Sequence, residues 1–340
     1  MRVALLVLIF VAAAIAFTDV EKWTTFKITH NKVYKNIKEH NHRFEIFKKN
    51  LIRIKEQNHK YETGKSTYNF GITKFADLTA EEFLSRFKSG RSPINTLSKP
   101  KNTANNDEAK GNIFDTSDDL PDQYDWTRAG AVTPIRDDPD CSACTAESVV
   151  AAVESAEFIK TNNLVQRSPK QLEDCIPFTP DDCWVCLDKD LTYSRDVGIM
   201  SDDDYPWKFE DQDCQFDNIN VTTPLIHISD WRYVTEGDEK ELQRTVYLEG
   251  PVVVAIDVTI DFQLYVDGVL DDPTCENTFD DLVTALLLVG YGDSKRQGEY
   301  WILKNYFGTF WGNNGYLWLR RNKNNLCGVA TSAVIPILEF

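Results

Sequence analysis

Histidine is scarce in this chain. Five occur in 340 residues, at positions 30, 40, 42, 59 and 227, so beyond residue 60 only His227 offers an imidazole as base or metal ligand. No glycine-rich phosphate loop, calcium loop or spaced histidine pair is present, so neither cofactor nor metal is expected. Beyond the first residues no run of about 18 apolar residues occurs, which excludes a later membrane span. Cysteine is missing from the first 140 residues, and all eight lie at 141, 144, 175, 183, 186, 214, 275 and 327.

What is present points to a sizeable folded protein. With 42% hydrophobic and 12% aromatic residues, the chain can bury a large core and is expected to form two units. Residues 1–16 read as a signal peptide: Met1-Arg2, an apolar run from Val3, and the small-residue site Ala14-Ile15-Ala16. The competing reading is a membrane anchor, for which the run is short. The expected route is therefore secretory, ending outside the cell or in a lysosomal or digestive compartment. An even cysteine count on that route implies disulfides. Cys141-x-x-Cys144 and Cys183-x-x-Cys186 also have the spacing of a four-thiolate zinc site, the alternative that a reducing compartment would favour.

Charge divides the chain. Residues 17–119 carry 19 Lys and Arg against 14 Asp and Glu, a net of +5, while residues 120–340 carry 17 against 39, a net of −22. This argues against a nucleic-acid or membrane partner for the second unit and favours attraction between the two segments, with solubility alone as the plain alternative. Val20 to Phe87 shows helical spacing in Trp23-Phe26 and Phe44-Phe47-Leu51-Ile54, predicting two or three amphipathic helices over 17–87. Residues 88–119, rich in Ser, Asn, Lys and Asp, read as a linker and processing region.

The stretch Asp140-Cys141-Ser142-Ala143-Cys144-Thr145 opens a helical run that ends near Lys160. A helix N-terminus favours thiolate over thiol, so a cysteine there is placed as a nucleophile would be. Further on, Pro251–Ile256, Ala285–Val289, Tyr300–Leu303 and Gly315–Leu319 are short apolar runs of strand type. Leu225-Ile226-His227-Ile228 also looks like a strand, with His227 at a surface or edge position. Helices followed by strands predict an α+β fold.

Several motifs carry a family resemblance. Glu39-x3-Arg43-x2-Ile46-Phe47-x2-Asn50-x3-Ile54-x3-Asn58, followed by Gly71-x-Thr73-x-Phe75-x-Asp77, resembles the inhibitory propeptide of papain-like cysteine proteases of the cathepsin L type, with Thr73 the one substitution. Leu120-Pro121-Asp122-Gln123-Tyr124-Asp125-Trp126 resembles the start of the mature enzyme, so 120–340 is expected to be the papain-like domain. Gly130-Ala131-Val132-Thr133-Pro134, Gln171-Leu172-Glu173-Asp174-Cys175, Asp204-Tyr205-Pro206-Trp207, Val289-Gly290-Tyr291-Gly292 and Lys304-Asn305 extend the likeness. It implies a two-lobed fold behind a helical propeptide, a cleft between the lobes, and disulfides Cys141–Cys183, Cys175–Cys214 and Cys275–Cys327.

The resemblance places the nucleophile at Cys144 and the orienting amide at Asn305, which is followed by Tyr306-Phe307 instead of Ser-Trp. The histidine position falls on Thr284, and residues 275–292 contain no histidine. The oxyanion glutamine position is Asp138, whose carboxylate cannot donate a hydrogen bond. Losing one such donor typically costs ~10²–10³ in rate. Asp137, Asp138, Asp140 and Glu147 lie near a thiol with no imidazolium opposite, so the thiolate loses its stabilisation and Cys144 is expected to be mostly protonated. Trp184-Val185-Cys186 replaces the family's Asn-Gly-Gly on the cleft wall, and Cys144 and Cys186 remain after the family disulfides are assigned. They form either a fourth disulfide or two free thiols.

Three readings follow. The first is a pseudoprotease with a binding or regulatory role, monomeric, whose partners are its own propeptide and peptide or protein ligands in the former cleft. The second is an active cysteine endopeptidase using Cys144 with a non-standard base, and the third a packaging or storage protein. Asn220-Val221-Thr222 is an acceptor sequence for a glycan.

Overall fold

The computed structural model describes residues 18–88, 120–137, 144–177, 187–208 and 212–339. The expected signal peptide, most of the linker, Asp138, Asp140, Cys141 and the segment holding Cys183, Trp184, Val185 and Cys186 lie outside the described residues.

Residues 18–88 form a helical unit. Helix α1 (Asp19–Thr29) opens on a capping box between Thr18 and Glu21, which satisfies two otherwise orphaned backbone donors. The long α2 (Ile37–Glu62) starts at Asn36, whose side chain accepts from the Glu39 amide at 3.0 Å. The two helices meet through aromatic rings, with Phe47 centred 5.1 Å from Trp23 and 5.0 Å from Phe26. The polar residues of the α2 motif face the chain that follows. Asn50 donates from Nδ2 to the carbonyls of Ala76 and Leu78, both at 2.9 Å. Asn58 exchanges two bonds with the Phe70 backbone, and Arg43 donates to the Asp77 carbonyl at 3.2 Å and to Glu82 at 2.7 Å. The motif thus supplies partners to an irregular, buried backbone that would otherwise lack them. Helix α3 (Ala80–Lys88) ends the unit.

The remainder is built on one sheet. Strand β1 (Tyr68–Phe70) of the helical unit pairs antiparallel with β5 (Tyr265–Leu270). The sheet continues through β8 (Tyr316–Arg320), β7 (Gly298–Lys304), β6 (Thr284–Ser294), β4 (Val252–Ile256), β9 (Ala333–Ile337) and β3 (Asp230–Tyr233), while β2 (Tyr124–Asp125) pairs with β6. The uninterrupted apolar run of β4 is fully buried because it lies between β6 and β9. At Gly290 a Cβ would come within 2.2 Å of the Tyr124 carbonyl oxygen, so this glycine of the Val-Gly-Tyr-Gly motif lets β2 close on β6.

Helix α4 (Cys144–Thr161) packs on β6, β9 and β4, and on α5 (Pro169–Cys175) and α6 (Leu187–Asp196). Helix α7 (Glu239–Leu248) lies against β6. One core joins Trp23, Phe47 and Phe75 of the helical unit to β-rich residues such as Tyr265, Trp301 and Leu317. A second gathers Val149 to Val153 of α4, Leu191 of α6 and Leu287 of β6. The arrangement is the mixed helix and sheet, two-lobed fold with its helical segment in front. Among the described residues no helix is long and apolar enough to cross a membrane.

One element differs from expectation. Ile226 makes only an isolated bridge with Ile199, so Leu225–Ile228 is not a strand. Its alternation arises because Ile226 and Ile228 fill the helical-lobe core while His227 points outward.

Candidate functional site

Cys144 is the first residue of α4, buried, and bonded through its sulfur in a disulfide. Its partner lies outside the described residues, because the other described cysteines pair with one another. Cys175 joins Cys214 with Cα atoms 4.6 Å apart, and Cys275 joins Cys327 at 4.8 Å. No described cysteine is free. A sulfur held this way is neither thiolate nor zinc ligand, which removes Cys144 from the zinc alternative. Among the described residues no group of three or more His, Cys, Asp and Glu is arranged to hold a metal.

Thr284 opens β6, opposite Ile256 of β4, and is buried. Asn305 follows β7, also buried; its amide N–H donates to the Gly315 carbonyl at 3.1 Å, and its side-chain Oδ1 accepts from the Tyr306 N–H at 2.8 Å. That oxygen has a second lone pair, so the bond from Tyr306 fixes the side chain without using up its acceptor capacity. His227 is exposed, with Nδ1 3.0 Å from the Arg195 carbonyl oxygen and its ring against Gly198. That is a surface packing role.

Two of the acidic residues near Cys144 in sequence, Asp137 and Glu147, are paired with cations. Asp137 meets Lys74 of the helical unit, and buried Glu147 lies 3.4 Å from Arg136 Nε. Arg136 also reaches Asp202 at 3.1 Å and the Arg167 carbonyl at 3.1 Å. Farther along α4, Glu154 accepts from Thr133 Oγ1 at 2.6 Å and from the Arg167 N–H at 2.7 Å. Lys304 donates to both Thr133 oxygens at 2.9 Å. Burial pushes the Glu154 carboxyl up and the Lys304 amine down, and each one's charge opposes the shift of the other. Glu157 closes the series by binding Arg167 through Nε at 2.9 Å.

Tyr306 fills the space under α4. Burial drives its phenol well above the usual range, with Ser148 and Glu147 close by. Phe307 packs edge-on against Phe75 at 5.1 Å and Trp311 at 5.2 Å, with Lys74 Nζ 5.6 Å over its ring. Sequence reasoning missed this buried network, although Glu147, Glu154 and Glu157, at steps of seven and three, share one helical face. It also missed Asp190 on α6. That carboxyl is buried beside Thr145, leaves Oδ2 without a hydrogen bond, and is raised by burial to about 7.

Comparison with known proteins matches this geometry. Residues 120–337 match the papain family cysteine protease model and residues 23–83 the cathepsin propeptide inhibitor domain. The chain is 33% identical over 340 residues to cathepsin L of Sarcophaga peregrina, covering 98% of each. It is 34% identical over 347 residues to digestive cysteine proteinase 2 of Homarus americanus, covering 99% of this chain and 100% of the relative. Its fold superposes on digestive procathepsin L 3 of Tenebrio molitor larval midgut with a TM-score of 0.80 at 33% identity, covering 95% and 100% of the two chains. The chain therefore belongs to the papain family of cysteine proteases, with the architecture of a cathepsin L-type zymogen.

Proposed function

We propose that this protein is a secreted cathepsin L-like homologue without peptidase activity, acting as a binding or regulatory module. The observation that carries the reading is Cys144, whose sulfur is committed to a disulfide at the head of α4. Peptide hydrolysis by this family type needs a thiolate, a base, an orienting group and oxyanion donors. Thr284 stands where the resemblance puts the base and Asp138 where it puts a donor, while the orienting amide is retained at Asn305. The defects fall on one catalytic unit, so their effects do not multiply, yet either Thr284 or the blocked sulfur alone removes several powers of ten.

We assign Cys186 as the partner of Cys144, and Cys141 as that of Cys183. Cys186 immediately precedes α6, and α6 meets the start of α4 where Asp190 faces Thr145. The compartment we assign is extracellular or lysosomal, in keeping with relatives named cathepsin L and digestive proteinase. Asn220, exposed, is assigned as a glycan acceptor, and the former cleft as the place for a peptide or protein ligand.

The relatives' names favour a second reading, an endopeptidase in which reduced Cys144 works with a base other than histidine. Thiol titration of the intact protein, denatured without reductant, separates the two. The first reading expects no reactive thiol; two reactive thiols, at Cys144 and Cys186, would sink the disulfide assignment. Restoring Thr284→His and Asp138→Gln in a Cys186→Gly background is expected to recover measurable hydrolysis. A folded but silent triple variant would show that the cleft is damaged beyond these positions.

A further inference from the structure

At the centre of the boundary between residues 18–88 and the rest of the chain stand groups that do not titrate. Gln263 is fully buried there. Its Oε1 accepts from Arg53 Nη1 at 2.8 Å, and its Nε2 donates to the carbonyls of Phe75 at 3.0 Å and Leu78 at 2.8 Å. Its own carbonyl accepts from Thr73 Oγ1 at 2.6 Å. Thr73 is the residue that departs from the family propeptide motif, and here its hydroxyl reaches across the boundary. Around this hub β1 pairs with β5, Gly71 N–H donates to the Leu264 carbonyl at 2.8 Å, Val269 N–H to the Thr67 carbonyl at 2.9 Å, and Arg53 Nη2 to the Ile260 carbonyl at 3.4 Å. Phe75 and Phe87 cover Phe307, leaving it 4% exposed.

We propose that the pro-segment is a permanent subunit of this protein: after a cut in the linker 89–119 it stays on the β5 edge at acid as well as neutral pH. Lys74 to Asp137 and Tyr68 to Asp261 are hydrogen bonds across the boundary that end on a carboxylate. Asp137 is 63% exposed, so its pair is weak at any pH. Asp261, flanked by Arg53, Lys60 and Asp272, is raised by burial and takes up its proton early. A neutral carboxyl still accepts the Tyr68 hydroxyl bond. Inside the pro-segment, Asp77 binds Lys32 and Tyr34, and Glu82 binds Arg43. Burial raises the Glu82 carboxyl, but its bonds from Arg43 and the Thr79 amide outweigh this and keep it below the usual range. His30 opposes retention. It packs on Phe310, and burial together with Lys32 depresses its pKa, so acid adds a disfavoured charge there, moderated by Asp77. One half-buried imidazole is set against a neutral hydrogen-bonded hub, a strand pairing and an aromatic cover, and the latter prevail.

The test places a site-specific protease sequence within 89–119 of the full chain, cuts it, and measures mass by light scattering on a sizing column at about pH 7.4 and about pH 4.5, at about 1 µM. One species holding both fragments is expected at each pH, with the dissociation constant rising less than about tenfold on acidification. Separation at either pH, or a larger rise, overturns the proposal. Gln263→Leu is expected to raise the dissociation constant at both pH values alike, by about tenfold or more, while Asp137→Asn changes it less than about threefold. Should Gln263→Leu fail to fold, Thr73→Val makes the same test from the other side. An Asp137→Asn effect that exceeds the hub's would show an ionic boundary and refute the idea. The inference does not rest on loss of chemistry: fragments that part without hydrolysis overturn retention alone, and hydrolysis by an intact pair overturns the proposed function alone.

Discussion

Replacing Asp190 by asparagine tests the electrostatics of the α4–α6 contact. Its carboxyl is raised by burial from 3.8 to about 7, with Thr145 and Lys189 opposing the shift. Between those values the folded protein holds a proton that the unfolded chain has released. Stability contributed by this group is therefore complete at acid pH and is lost as pH rises through about 7. A shift of about three units corresponds to about 4 kcal/mol at most, taking 1.36 kcal/mol per unit. A carboxamide cannot ionise, so Asp190→Asn should gain on the wild type by up to about 3 kcal/mol between about pH 4.5 and pH 8, the part of that range lying between pH 4.5 and about 7. The amide introduces an unsatisfied N–H costing about 1–3 kcal/mol, but equally at both ends. Urea unfolding of both proteins across that range gives the difference directly. A difference independent of pH would refute the burial argument, as would an Asp190→Asn variant that loses ground at pH 8.

Two further outcomes follow from the packing. Arg167→Met leaves Glu157 buried without its partner, and urea unfolding should show a loss of about 3–5 kcal/mol that Glu157→Leu, added to it, largely restores. A double variant no better than the single would locate the cost elsewhere, such as the lost Arg167 bond to the Pro224 carbonyl. Replacing Cys275 and Cys327 together by alanine should lower stability by about 2–4 kcal/mol, read from the same unfolding curves. An unchanged midpoint would mean that the unfolded chain gains little freedom there.

Much of the fold was legible because local pattern and tertiary context agree. The ring spacing of Trp23-Phe26 and Phe44-Phe47 marks the faces on which α1 and α2 meet, and the apolar run at Val252–Ile256 is long enough to specify a central strand. Strand β1 was not legible: three residues carry little pattern, and its partner lies about 200 positions away. Leu225–Ile228 misled because alternation records burial on one side, which a loop resting on a core satisfies as well as a strand.

At the site, residue types were legible but their partners were not. Asp137 and Glu147 were legible as acids near Cys144, but sequence does not show that Lys74 returns from the pro-segment to meet one or that Arg136 turns inward to meet the other. The burial of Asp190 likewise depends on neighbours set by the fold. Gln263 has no motif around it and acquires its role only when four pro-segment residues converge on it.

The central claim, that Cys144 is not a working nucleophile, is tested most directly by incubating the nicked protein at acid pH with an epoxide electrophile aimed at active-site cysteines. Intact-mass and peptide-mass measurement, with and without a mild reductant, then locates any adduct. The account predicts no adduct on Cys144 without reductant, and with reductant only the slow modification shown equally by the denatured protein. Rapid, stoichiometric labelling of Cys144 that denaturation abolishes would contradict it.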